Sequence, residues 1–286
     1  MLQGDAFVSA NAPADATLCR VCDSMSNAVF RKRVLDRDVN YFDCTKCGYL
    51  QTESPYWLDR AYADAIGDAD TGIMLRSRLN VARVAFALTT LRQLRGRVLD
   101  VGGGYGILVR MLRDIGIDAR WQDKHCKNLL ARGFEDDGGP YDLVTAFEVV
   151  EHLVHPVDEL RRLLAVAPMV LLSTELAPDP NALSRDWWYL APEYGQHIGF
   201  LRRATLDWIS RELGCSYATD GLSTHVLVRE RHIARRWSAL RRLTPLAPRW
   251  ARSRLQSRTV ADFESAVLRS RSSNSMQSPP NGATVS

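Results

Sequence analysis

The stretch Arg97-Val-Leu-Asp-Val-Gly-Gly-Gly-Tyr-Gly106 constrains this chain most: a short apolar run closes on an acid, and closely spaced glycines lead into a helical pattern. A strand, a glycine turn and a helix in that order belong to open parallel sheets, which bind ligands at the carboxyl ends of their strands. Gly102, Gly104 and Gly106 let the backbone turn sharply and approach a ligand with no Cβ in the way. A dinucleotide fingerprint would need a further glycine where Ile107 stands. Asp100 instead precedes the glycines, where a carboxylate suits a cationic cofactor and would repel a pyrophosphate. Asp123, closing the next strand, is placed to accept hydrogen bonds from ribose hydroxyls.

The surrounding pattern agrees. Strands are expected at 97–101, 118–122, 141–147 and 169–174, with helices at 105–115 and 157–167 between them. A helical pattern over 73–94 precedes them, with Leu79, Ala82, Val84, Phe86 and Leu91 on its apolar side. A helix at 204–213 and strands at 216–219 and 224–229 follow. This alternation predicts an α/β, Rossmann-like doubly wound fold with a mainly parallel sheet.

Upstream stand Cys19-Arg-Val-Cys22 and Cys44-Thr-Lys-Cys47-Gly48, 21 residues apart. Two such pairs can give four thiolates to one tetrahedral structural Zn(2+), leaving no position open for a substrate. A small N-terminal zinc-ribbon domain is therefore expected. Cys126 and Cys215 read as packing residues. Zinc spacing in place of a disulfide framework points to a reducing compartment. Met1 to Thr17 lacks the basic start and apolar core of a secretory signal, and no run of about 18 apolar residues appears, so a cytoplasmic protein with no transmembrane segment is expected.

Charge divides the chain. Arg229 to Arg271 holds twelve arginines against three acidic residues, a surplus of nine against the whole chain's +4, which leaves −5 for the rest. The expected organisation is a disordered N-terminus (1–17), a zinc-binding domain and linker (18–70), a catalytic domain (71–230), a basic C-terminal arm (231–271) and a disordered tail (272–286). The acidic body argues against a nucleic-acid partner, while the arm suits an anionic one.

At Leu99-Asp-Val-Gly-Gly-Gly-Tyr-Gly106, Asp123 and Tyr141-Asp-Leu-Val-Thr-Ala-Phe-Glu-Val-Val-Glu-His152 the chain resembles the class I S-adenosylmethionine-dependent methyltransferases, over roughly Val81 to Arg229. The resemblance implies S-adenosyl-L-methionine as cofactor, with Asp100 and Gly102 on its methionine side, Gly104 and Gly106 in the loop, Asp123 at the ribose and Phe147 facing it. A zinc ribbon fused in front is similar to sugar C-methyltransferases and their relatives, and also to some ribosomal RNA methyltransferases.

Glu148, Glu151 and His152 are expected on one face of the turn after the strand ending at Phe147. His197 lies in Glu193-Tyr-Gly-Gln-His-Ile-Gly-Phe200, where this fold returns a loop over the substrate. Three roles compete. His197 or His152 serves as general base with Glu151 holding the imidazole tautomer; the four side chains hold a divalent ion such as Mg(2+), a pattern resembling the small-RNA 2′-O-methyltransferases; or the cluster is structural. The stretch Ala146-Phe-Glu-Val149 departs from the Asp/Asn-Pro-Pro-Tyr of many enzymes that methylate nucleobase amines. Trp187-Trp188-Tyr189 is either a platform for a flat acceptor or a clamp for the loop, and Tyr62 and Asp70-Thr-Gly72 are placed to cover the cofactor.

The resemblance thus implies methyl transfer to carbon or oxygen of a small polar acceptor, such as a nucleotide-linked sugar or glycan precursor. The alternatives are a zinc-ribbon RNA methyltransferase and a non-catalytic S-adenosylmethionine-binding module.

Overall fold

The computed structural model describes residues 15–63 and 70–276. The disorder expected for residues 1–14 and 277–286, and residues 64–69 of the expected linker, lie outside the described residues.

The front of the chain is an antiparallel sheet, β1 (Ala16–Leu18), β2 (Met25–Val34), β3 (Arg37–Cys44) and β4 (Leu50–Thr52). Residues 16 and 17, expected within a disordered N-terminus, are strand because Ala16 and Thr17 pair with Asn27 and Ser26. The two cysteine pairs form equivalent knuckles. Asp23 N–H donates to Cys19 O at 3.0 Å and Gly48 N–H to Cys44 O at 2.8 Å, with both donors in the left-handed region. The short helix α1 (Leu58–Ala61) follows, and buries Trp57 with Val39, Tyr41, Leu50 and Phe200.

Helix α2 (Ile73–Leu91) leads into the second sheet: β5 (Arg97–Val101), α3 (Ile107–Asp114), β6 (Asp118–Gln122), β7 (Leu143–Phe147), α4 (Pro156–Val166) and β8 (Met169–Ser173). After β8 come β9 (Gly199–Phe200), α5 (Arg203–Glu212), β10 (Ser216–Thr219) and β11 (Thr224–Val228). Strand order is β10-β11-β8-β7-β5-β6, with β8, β7, β5 and β6 parallel and the hairpin β10–β11 antiparallel at one edge. The central strands are buried on both faces, which explains why they are mainly apolar. On α2 the buried stripe is Val81, Val84, Ala85 and Leu88; Leu79, expected with it, is half exposed because it falls one residue off that helical spacing.

β9 does not join the sheet of its neighbours. It crosses to the front sheet and pairs antiparallel with β4, Leu50 opposite Phe200 and Gln51 opposite Gly199. A Cβ on Gly199 would come within 1.7 Å of the Tyr49 hydroxyl, so only glycine fits there. Arg202 locks the junction: its guanidinium donates to both Asp43 carboxylate oxygens at 2.9 and 2.7 Å and to Gly48 O and Pro178 O, with both charged partners buried. The front sheet is therefore welded to the α/β domain.

The C-terminal segment is helical: α6 (Arg231–Leu240), α7 (Ala247–Arg254) and α8 (Thr259–Met276). Ile233, Ala234, Trp237, Ala247 and Ala251 join the core that α2 shares with the second sheet, so the basic C-terminal arm closes that sheet's face. α8 continues through 272–276, residues expected to begin a disordered tail. Asp262 on α8 takes two hydrogen bonds from the buried Arg113 guanidinium at 2.8 and 2.7 Å and one from Arg110 at 2.8 Å.

Candidate active site

The glycine loop sits between β5 and α3 at the carboxyl end of the parallel strands. Gly102 and Gly103 N–H both reach Gln122 O, at 2.9 and 3.2 Å, and the Trp121 indole donates to Gly104 O at 2.9 Å. Asp123 Oδ2 accepts from Gly104 N–H at 2.9 Å, while Oδ1 accepts from the main chain of His125 and Cys126 at 2.7 and 2.8 Å. The acid expected at a ribose thus also fastens the loop to β6. Asp100 is buried below the turn and takes the Thr145 hydroxyl at 2.6 Å. Burial pushes its carboxyl up to about 7, with the Thr145 bond opposing. Gly102 adopts φ +69°, and a Cβ there would meet Val149 Cγ2 at 2.6 Å. Gly104 and Gly106 are also left-handed, and Phe147 packs half-buried against the core on the α2 side.

Glu148 follows β7 at φ +54°, outside the three-residue 3-10 turn Val150–His152. Glu148, Glu151 and His152, expected on one face of the turn, are therefore not aligned by helical spacing; Glu148 and Glu151 meet instead at the Tyr189 hydroxyl. A 3-10 turn has a different period, and the left-handed backbone turns Glu148 toward β8. There its carboxylate accepts the Ser173 hydroxyl at 2.5 Å and the Tyr189 hydroxyl at 3.0 Å. The Tyr189 hydroxyl also lies 2.5 Å from Glu151 Oε1. Glu151 is fully buried; burial first, then the charge of Glu148, pushes its carboxyl up to about 8.

His197 arrives from the loop before β9. Ile198 N–H donates to Glu151 O at 2.8 Å, and Ile198 O accepts from Thr52 N–H and from the Arg20 guanidinium. His197 Nδ1 lies 2.7 Å from Tyr189 O. A carbonyl only accepts, so that nitrogen carries the proton and Nε2 holds the lone pair. Main-chain Tyr189, and not the expected Glu151, sets this tautomer, because Nδ1 faces the Tyr189 carbonyl. The His152 and His197 rings meet edge-on at 5.0 Å, and burial lowers both imidazoles, His152 to about 3. One ligand atom each from Glu151, His152 and His197 lie within 4.8 Å of one another, a set that could hold a metal ion. Tyr62 stacks on His125 at 4.2 Å and approaches His152 at 6.2 Å, linking this cluster to the Asp123 turn.

Of the aromatic run, Trp187 and Tyr189 pack inward with Phe200 and clamp the loop, while Trp188 stays 70% exposed. Asp70 pairs with Arg76. Trp121, His125, Ser173 and the structural role of Tyr189 belong to the site without being among the expected residues. Only Trp121 had a local signal, as a large aromatic next to the acid that closes a strand.

At the front, Cys19, Cys22, Cys44 and Cys47 are buried and their sulfurs lie within 4.8 Å of one another. Cys19–Cys47 and Cys22–Cys44 sulfurs are each 3.5 Å apart. Tetrahedral thiolates around zinc would stand about 3.8 Å apart. The cluster fits that ion.

Fold and loop define a nucleotide-cofactor-type α/β enzyme domain. A family model described as a methyltransferase domain matches residues 75–219, half of the chain, and the chain belongs to that family. It is a methyltransferase enzyme. Among solved structures it is similar to the magnesium protoporphyrin IX methyltransferase of Synechocystis PCC 6803, at 20% identity over 60% of this chain and 93% of that one, with a TM-score of 0.40. It is also similar to an O-methyltransferase family protein from Burkholderia thailandensis, at 16% identity over 61% of this chain and 63% of that one, with a TM-score of 0.43. A third is an O-methyltransferase from neocarzinostatin biosynthesis, solved with S-adenosyl-L-homocysteine and 1,4-dihydroxy-2-naphthoic acid, at 16% identity, 61% of each chain and a TM-score of 0.42. No curated protein matches the sequence.

Proposed function

We propose that this enzyme transfers a methyl group from S-adenosyl-L-methionine to an oxygen or carbon of a small polar acceptor, with a sugar nucleotide or glycan precursor as the favoured class. The observation that carries the reading is the juxtaposition of two features at one sheet end: the loop Gly102–Gly106 braced by Asp123, and the Glu151, His152 and His197 cluster. The cofactor supplies an activated methyl on a sulfonium, so most of the rate comes from positioning the acceptor. Asp123 and the glycine backbone would hold the donor, with Asp100 supporting the turn from below. Tyr62, His125 and Trp188 offer ring surface beside the acceptor.

An oxygen or carbon acceptor must also lose a proton. His152 and His197 present unprotonated nitrogens at neutral pH, and the main chain fixes the orientation of His197. The Glu/His cluster is therefore assigned to the acceptor's proton. We further assign a structural zinc to the four cysteines, whose metal holds the front sheet and takes no part in the transfer itself.

His197→Ala should lower turnover by about a hundredfold or more while S-adenosylhomocysteine affinity, read by calorimetry, stays near wild type. Undiminished turnover would remove the cluster from the chemistry. Acceptors are best sought by mass spectrometry of small molecules that co-purify. Binding of RNA that weakens steeply with salt would instead favour an RNA acceptor.

A further inference from the structure

We propose that the corner between α6 and α7 docks the protein on an anionic lipid bilayer, peripherally and without spanning it. The proposal stands apart from the methyl-transfer reading and depends on no acceptor.

The segment Arg231 to Arg258 holds nine arginines and no acidic residue. Elsewhere in the fold Arg97, Arg113 and Arg202 pair with Asp137, Asp262 and Asp43. Arg241, Arg242, Arg249 and Arg252 are exposed and form no ion pair among the described residues. Unmatched guanidinium groups gathered on one surface draw anions to it. Their planar fork of donors suits phosphate in particular.

Apolar side chains stand among these charges. Between α6 and α7 the chain runs as a 3-10 helix over Arg241–Leu246, at about three residues per turn. Leu240, Leu243 and Leu246 recur at that same interval, so they line one edge. Trp250, a turn of α-helix further on, extends the stripe. All four residues are between 40% and 54% exposed. Ala247 and Ala251 follow Leu246 and Trp250 by one position, about 100° around the helix, and both are buried in the core. The helix is held by its small residues, and its large ones are turned outward. A helix that only closed a core would face its large apolar residues inward.

Charge and shape select the occupant. A second copy of this chain would set arginine against arginine. Nucleic acid would satisfy the arginines and leave the leucines unburied. It would also need aromatic faces to stack on, and the stripe's one ring already has the Arg254 guanidinium 5.9 Å from its centre. The interface of an anionic bilayer takes both kinds of side chain. Leucines and indole enter the acyl boundary, while arginine stems lie along it with their charged heads at the phosphates. No helix among the described residues is long and apolar enough to cross a membrane, so the contact lies in the plane of the interface.

The test is cosedimentation of the full chain with vesicles of phosphatidylcholine, and with vesicles of equal parts phosphatidylcholine and phosphatidylglycerol. Wild type should bind the mixed vesicles and not the neutral ones, and should bind less as salt rises. Arg241→Glu with Arg242→Glu should weaken binding by about twenty-fivefold or more, at about fivefold for each arginine near an anionic surface. Leu243→Ser with Leu246→Ser should weaken it by about tenfold or more, because the apolar contact is lost. A thermal midpoint near wild type checks that each variant is folded. Should either misfold, wild-type indole emission should move to shorter wavelength on mixed vesicles, and Trp250→Phe should lose that shift. No binding to mixed vesicles, equal binding to neutral ones, or a shift kept by Trp250→Phe would overturn the proposal. So would full binding by the leucine variant, or homopolymeric RNA held by these arginines in a chain that ignores vesicles.

Discussion

Gly102 and Asp123 carry the cofactor loop by opposite means, one by lacking atoms and one by supplying them. Gly102→Val would force a β-branched residue to φ +69° with its Cβ 2.6 Å from Val149 Cγ2. Asp123→Ala removes the acceptor for three main-chain N–H groups. Each variant should weaken S-adenosylmethionine binding by about tenfold or more, since hydrogen bonds to a charged group contribute roughly 1.5–3 kcal/mol. Calorimetry returning wild-type affinity for both would show that the loop does not hold the cofactor. These residues were legible because strand, turn and acid lie close together in sequence. The relation among Glu151, Tyr189 and His197 was not, because it depends on a strand crossing between sheets that no local pattern announces. Glu148 misled for a related reason: a spacing of three and four residues implies a shared face only where the backbone is α-helical.

At the scale of elements, the boundaries of β5, β6 and β10 agree with those expected from the alternation of short strands and helices. The long hairpin β2–β3 was harder to read, because most of β2 faces solvent and carries polar and basic residues. The C-terminal helices illustrate the converse. Their arginines mark a basic arm, while the small and apolar residues between them seal a core. α8 is pinned by Asp262, which is almost fully buried between Arg113 and Arg110; Arg113 also stacks over Phe134 at 3.7 Å. Asp262→Ala should destabilise the protein by about 3 kcal/mol, the low end for breaking a buried pair, because Arg113 keeps Asp118. A denaturation midpoint unchanged from wild type would show that α8 is merely laid on the surface. Truncation at Arg231 removes Trp237 and Ala251 from the core and should unfold the sheet domain.

For the whole molecule, the front sheet is best understood as the wall against which the catalytic loop is built. Ile198 is held by Thr52 and Arg20 on one side and by Glu151 on the other, and its neighbour is His197. Cys44 ends the strand that pairs with β4, which pairs in turn with β9. Cys44→Ser should therefore lower both bound zinc and turnover, while S-adenosylhomocysteine binding, which depends on β5 and β6, is largely kept. Zinc by elemental analysis and turnover on the same sample provide the check; full activity in a zinc-free variant would uncouple the two.

The strand that crosses between sheets also sets an order of assembly. The partner of Leu50 is Phe200, so a front sheet that leaves the ribosome first must wait for a segment made 150 residues later. At synthesis rates of about 5–20 residues per second that wait is on the order of ten seconds. During it the edge of β4 is unpaired and open to wrong partners. The cysteine knuckles are complete by Cys47, so an early-bound metal could hold that edge in shape until its strand arrives. Refolding of the full chain, with its distant pairing, should for the same reason be slow for its size.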